Sequence, residues 1–177
     1  YTASPKKVLI VLKETNDFAG DLRSLIREGW QGPKYSVWHN VSRWIYGIHN
    51  TTKTLIPSRT EAEKHKTPSL LSAAVMNVKK TAGGSYSNMD EIREYIIKDA
   101  TFILREVELI NPDVIIFGNT FSLIREVFGL SDPPIIEDGY ISKWNNRLCI
   151  DFWHPAAQYP ADMMYYTLCS LYQKTLQ

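Results

Sequence analysis

The chain has 177 residues, 44% hydrophobic and 22% charged, enough for one domain with a sizeable core. The formal net charge of +1 gives no global basic field, so a nucleic-acid partner would have to meet a local cluster of Lys and Arg. Cys149 and Cys169 lack nearby Cys or His partners, which excludes a typical zinc or iron–sulfur site, and no apolar run approaches the ~20 residues of a membrane span.

Lys7 to Leu12 is a short apolar run rich in β-branched residues and reads as a strand covered on both faces. Residues 13 to 19 form a polar loop, and Asp21 to Trp30 follows as a helix. Val37 to His49 carries Trp38, Val41, Trp44, Ile45 and Ile48 at helical spacing and reads as a core-packing helix. Residues 56 to 68 are polar, charged and bracketed by Pro57 and Pro68, a surface excursion with room for one helical turn. Ser72 to Val78 reads as a second strand, and Thr81 to Asn88 as a Gly/Ser loop.

Met89 to Ile110 reads as the longest helix. Its apolar positions follow the 3.6 period, Ser87 or Asn88 can cap it, and Asn111-Pro112 stops it. Val114 to Phe117 is a third strand ended by Gly118, and Asn119 or Thr120 opens a helix to about Phe128. Residues 129 to 146, with Asp132-Pro133-Pro134 and Asp138-Gly139, form a long connection that can hold a small hairpin. Leu148 to Trp153 is the fourth strand, and Ala161 to about Lys174 the closing helix.

Strands alternating with helices predict an α/β fold with a parallel sheet and helices on both faces. Such sheets bind ligands beyond the carboxyl ends of their strands. The polar residues fall there: Lys13 to Asp17 after the first strand, Asn77, Lys79 and Lys80 after the second, Gly118 and Asn119 after the third, and His154 after the fourth. His154 is followed by Pro155, which has no backbone N–H to donate. Together these exits offer an acid, amides, ammonium groups and an imidazole. The cysteines read as buried thiols of a reducing compartment. Asn40-Val41-Ser42 and Asn50-Thr51-Thr52 match the glycosylation sequon, but nothing else points to secretion and no signal peptide is visible. The expectation is a cytoplasmic, monomeric protein with no metal or cofactor.

The order of these signals resembles the uracil-DNA glycosylase superfamily. The counterparts are Val8 to Asn16, Ala74-Val75-Met76-Asn77-Val78-Lys79, Pro112 to Asn119, and Phe152-Trp153-His154-Pro155-Ala156. The resemblance covers about residues 6 to 176, and its most specific piece is Asn77-Val78-Lys79 with His154-Pro155 in the right order and spacing. It implies a three-layer α/β/α domain over residues 1 to 177 around a four-stranded, mostly parallel sheet. The chain departs from the family in its first loop, Leu12-Lys13-Glu14-Thr15-Asn16-Asp17, which is neither Gly-rich nor Pro-containing. One register puts Thr15 at the usual acid or amide position, and a shift by one puts Glu14 there. Ala156 stands where the family has Ser, and the cluster cysteines of the iron–sulfur branches are absent.

Breaking an N-glycosidic bond builds positive charge on the sugar and negative charge on the departing base. By the resemblance, His154 donates a hydrogen bond to a base carbonyl. Glu14 orients water, a role Asn16 or Asp17 can share. Asn77 reads the edge of a pyrimidine, Phe18 stacks on it, and Thr15 lies beside it. Tyr159, Met163 and Met164 are candidates for the wedge that fills the gap when a base is flipped out of a duplex. Lys79, Lys80, Asn119 and the Gly83-Gly84 loop can meet phosphates.

Each residue also has a plainer role. His154 can be a local hydrogen-bond partner, Asn77 a chain cap, Lys79-Lys80 a solvated pair, and Glu14 a surface ion-pair member. The activity implied is release of uracil or another damaged base from single- or double-stranded DNA. Two alternatives remain: a member that only binds a nucleobase or nucleic acid, and a hydrolase of free nucleosides or nucleotides.

Overall fold

The computed structural model describes residues 1–15, 18, 20–30, 32, 35–84, 87–130 and 139–177. The chain divides into two compact units. One is Tyr1–Lys7, Gly20–Ala73 and Trp153–Gln177; the other is Val8–Ala19 and Ala74–Phe152.

The second unit holds the sheet. Among the described residues it has five strands: β1 (Val8–Leu12), β2 (Ala74–Asn77), β3 (Val114–Gly118), β4 (Ile141–Trp144) and β5 (Arg147–Phe152). Their order is β2-β1-β3-β5-β4. β1 pairs in parallel with β2 and β3, and β3 with β5, so these four carboxyl ends lie on one edge of the sheet.

The expected count of four strands is corrected by β4, which runs antiparallel to β5. A two-residue turn joins them, with Asn145 and Asn146 both left-handed at φ 46° and 64°. Two positive φ values suit the right-handed twist of a hairpin, and asparagine tolerates them better than most residues. The strand is hard to read because Ser142 and Lys143 interrupt its apolar run. Asp132-Pro133-Pro134 and Asp138 of the expected connection lie outside the described residues.

The predicted long helix is two helices, Met89–Lys98 and Ala100–Ile110. Asn88 Oδ1 accepts the amides of Asp90 and Glu91 at 3.1 and 3.3 Å, as a capping residue should. The break is at Asp99, whose φ of −101° and ψ of 12° leave the helical region. Hydrogen bonds run through it on both sides, Asp99 N to Tyr95 O and Ile103 N to Asp99 O, so the apolar period continues across it. Asn111 ends the second helix at φ 47°. A short helix, Phe121–Ile124, replaces the longer one expected after β3. These three helices cover one sheet face through Leu9, Val11, Met76, Ile92, Ile96, Ile103, Val107, Ile115, Phe117 and Ile124. Each is almost fully buried and together they form the core of this unit.

The first unit is helical. Asp21 caps one turn, Leu22–Ser24, which runs on as a π-helical Leu25–Gly29. The longest helix among the described residues, Ser36–Asn50, buries Trp38, Val41, Trp44, Ile45 and Ile48, as their spacing predicts. The polar 56–68 stretch contains Arg59–Lys64, capped by Ser58, and reaches into Lys66–Leu71. The closing helix, Ala161–Lys174, has the expected bounds. It meets Ser36–Asn50 at Gly47, where a Cβ would lie 2.4 Å from Cys169 Sγ. Burial pushes the Cys149 and Cys169 thiols up to about 12, which makes both inert packing groups. No helix among the described residues is long and apolar enough to cross a membrane.

Candidate functional site

In the sheet unit, the first loop is held by continuation of the β1–β2 pairing. Val78 N donates to Leu12 O and Lys79 N to Lys13 O, both at 2.9 Å, and Gly83 N donates to Thr15 O at 2.8 Å. This register brings Glu14 and Lys79 together. Lys79 Nζ lies 2.8 Å from Glu14 Oε2 and 2.9 Å from Glu91 Oε1, and 5.5 Å from the centre of the Tyr95 ring. The Lys79 side chain is 4% exposed and that of Glu14 2%. Hydrogen bonds from Lys79 to Glu14 and then Glu91 outweigh desolvation and raise the ammonium above its ordinary value. Gly83 closes the other side, because a Cβ there would sit 2.1 Å from Glu14 Cδ.

Glu14 and Lys79 are therefore buried partners. A carboxylate packed against Gly83 and neutralised by an ammonium is built to hold two loops together. It differs from the water-orienting role that the resemblance implies for Glu14. Lys79, expected at a phosphate-contacting surface, is turned inward onto two carboxylates. Lys80 stays outside and pairs with Glu106. Asn77 is the last residue of β2, half-buried and registered on Leu12. Thr15 and Phe18 are half-buried. Asn16 and Asp17 lie outside the described residues. Asn119 is left-handed at φ 58°, with an amide that donates to Phe117 O and Phe152 O at 2.9 and 2.7 Å, and its side chain is exposed. The fully buried Thr120 anchors this turn by donating from Oγ1 to Val11 O at 3.0 Å.

In the helical unit, His154 opens a tight turn. Its Nδ1 accepts the Ala156 N–H at 3.1 Å, and its carbonyl accepts the Ala157 N–H at 2.8 Å. A ring nitrogen that accepts from an amide carries no proton, so the neutral imidazole is protonated at Nε2. The ring is thus set as an Nε2 donor. Ala156 supplies only its backbone N–H to this contact, so a methyl side chain suffices at that position. The Pro155 carbonyl accepts from Asn40 Nδ2 at 2.8 Å in a buried contact. Asn40 Oδ1 accepts from Arg43 Nη1 at 2.9 Å, and Arg43 Nε donates to Glu63 Oε2 at 2.6 Å. Burial acts to raise the Glu63 carboxyl, but hydrogen bonds from Arg43 and Lys66 outweigh it and hold the group down at about 2. Tyr159 is exposed, its ring 4.8 Å from that of Trp153. Met163 is exposed, whereas Met164 is core.

Compared with models of known protein families and with curated proteins, the chain matches none.

Chemically, the His154 turn offers a fixed neutral donor. Such a group can donate a hydrogen bond to a carbonyl oxygen on which negative charge grows. The Glu14–Lys79–Glu91 cluster offers rigidity in place of a free acid or base.

Two features escape a reading of the sequence alone. Asn40 sits one turn before Trp44 on the apolar side of its helix, and a buried amide there is a signal of a long-range partner. Asp151 lies in an otherwise apolar strand, and burial pushes its carboxyl up to about 6.

Proposed function

We propose that this protein is an N-glycosidic hydrolase of the uracil-DNA glycosylase type, with the three-layer α/β/α arrangement of that family, acting on uracil or another damaged base in DNA. The observation that carries the reading is the His154 turn, in which Nδ1 accepts the Ala156 amide at 3.1 Å and leaves Nε2 as the ring's donor. In the reaction the bond from C1′ of the sugar to the base nitrogen breaks, and its electron pair passes into the base. Nε2–H of His154 donates a hydrogen bond to the base carbonyl that takes up this charge. Water then adds to C1′, and the proton it loses passes to the departed base anion, giving a sugar hydroxyl and the free base. In the same unit as His154, the exposed Tyr159, its ring 4.8 Å from that of Trp153, faces nucleic acid.

Binding without hydrolysis is the second reading, and one observation favours it: Glu14 is engaged by Lys79 and packed against Gly83. Incubation with single-stranded DNA containing uracil separates the two. The glycosidase reading expects release of free base by wild type and a loss of about 100-fold or more in His154→Ala with its fold retained. Tight binding with no release of any modified base by wild type would establish the second reading.

A further inference from the structure

The turn that presents His154 is gripped from behind by one side chain distant in sequence. Pro155 C=O and Ala156 N–H are the two ends of a single planar peptide group. One end accepts from Asn40 Nδ2 at 2.8 Å, and the other donates to His154 Nδ1 at 3.1 Å. Rotating that plane would break both bonds at once. Asn40 has its own orientation fixed, since only with Nδ2 toward the carbonyl can Oδ1 accept from Arg43 Nη1 at 2.9 Å. Arg43 is braced in turn by Glu63, which Lys66 also holds. Hydrogen bonds in such a chain polarise one another in a poorly hydrated setting. Asn40 is 8% exposed, so water cannot easily replace its amide.

We propose that Asn40, braced by Arg43, is a positioning residue for His154: through the Pro155–Ala156 peptide it fixes the imidazole in the Nε2-protonated tautomer. The structural part stands on these hydrogen bonds, and its effect on rate rests on the glycosidase reading. Without the amide donor the peptide plane turns, Ala156 N–H leaves Nδ1, and the proton is shared between the two ring nitrogens.

Asn40→Asp is the informative change, because it keeps an acceptor for Arg43 and deletes the donor to Pro155. ¹⁵N NMR of the histidine rings reports the tautomer in the free protein and needs no activity. The expected result is a single Nε2–H signature for His154 in wild type and a mixture in Asn40→Asp. Single-turnover base release should fall about tenfold with substrate affinity unchanged. An unchanged Nε2–H signature in the variant, or a mixture already present in wild type, overturns the proposal. If wild type releases no base, the glycosidase reading fails while the tautomer comparison still decides this inference. Should Asn40→Asp fail to fold, Arg43→Lys keeps a positive charge for Glu63 but loses the guanidinium hydrogen bond to Asn40. It is expected to give the same mixture, and an unchanged signature would count equally against the proposal.

Discussion

Removing the ammonium of Lys79 should cost far more than breaking two ion pairs at a surface would. In Lys79→Met the long side chain is kept and the charge deleted. Glu91 is 45% exposed and can turn to water at little cost. Glu14, with 2% of its side chain exposed, cannot. Leaving a buried carboxylate without its partner costs about 3–5 kcal/mol. For a chain of this length each kcal/mol moves Tm by roughly 2–4 °C, so the low end of the range already predicts a fall of roughly 6–12 °C. Thermal unfolding followed by circular dichroism reads this directly, with urea titration as a second measure. The double variant Glu14→Gln/Lys79→Met removes both charges and should recover most of the loss. Because the folded pKa of Lys79 is raised above the ordinary 10.5, its contribution is complete below that value and disappears as pH climbs through the higher folded one. The gap between wild type and Lys79→Met should therefore be flat from pH 7 to about 10 and shrink above. A single variant within about 0.5 kcal/mol of wild type, or a double variant no more stable than the single, would refute the buried-pair reasoning.

Gly83→Ala places a methyl 2.1 Å from Glu14 Cδ, so the carboxylate must shift beside Lys79. A loss of about 2–3 kcal/mol is expected in urea unfolding, shrinking to below about 1 kcal/mol when Glu14 is already Ala. Asp151→Asn should stabilise the protein at pH 7 by roughly 1 kcal/mol, a figure that allows for partial solvent screening. The carboxyl's folded value of about 6 lies above its ordinary 3.8, so the native state binds the proton more tightly than the unfolded chain. The penalty is absent below the lower value, grows as pH rises and is complete above the higher one. Unfolding scans at pH 4 and pH 7 should show the two proteins converging at the acid end.

The parts of the fold most legible in the sequence are those with a strong apolar period. Trp38, Trp44, Ile45 and Ile48 mark their helix, and the runs Val8–Leu12 and Val114–Gly118 mark buried parallel strands. Boundaries inside a continuing period are harder to see. Asp99 breaks a helix while Ile96 and Ile103 stay on one apolar stripe, because only the backbone dihedrals at one residue depart. Strand β4 is hidden because Ser142 and Lys143 interrupt its apolar run and its turn uses Asn-Asn without a glycine. At the candidate site, the neighbourhood of Glu14 and Lys79 follows from their places after paired strands. Their mutual neutralisation does not, since it depends on a third residue, Glu91, one helix later, and on the missing Cβ of Gly83. A buried Asn40 on an apolar helix side signals a partner, but that partner, Pro155, lies 115 positions away and no local pattern names it.

The central claim, that Nε2–H of His154 stabilises charge on a departing base, is tested most directly by varying the base itself. Single-turnover release from single-stranded DNA can be compared for uracil and for 5-fluorouracil, whose anion is the more stable and needs less help to leave. If His154 supplies that help, His154→Ala should lose about tenfold more rate with uracil than with 5-fluorouracil, a difference of about 1.4 kcal/mol in transition-state stabilisation. Equal losses for the two bases would contradict the account.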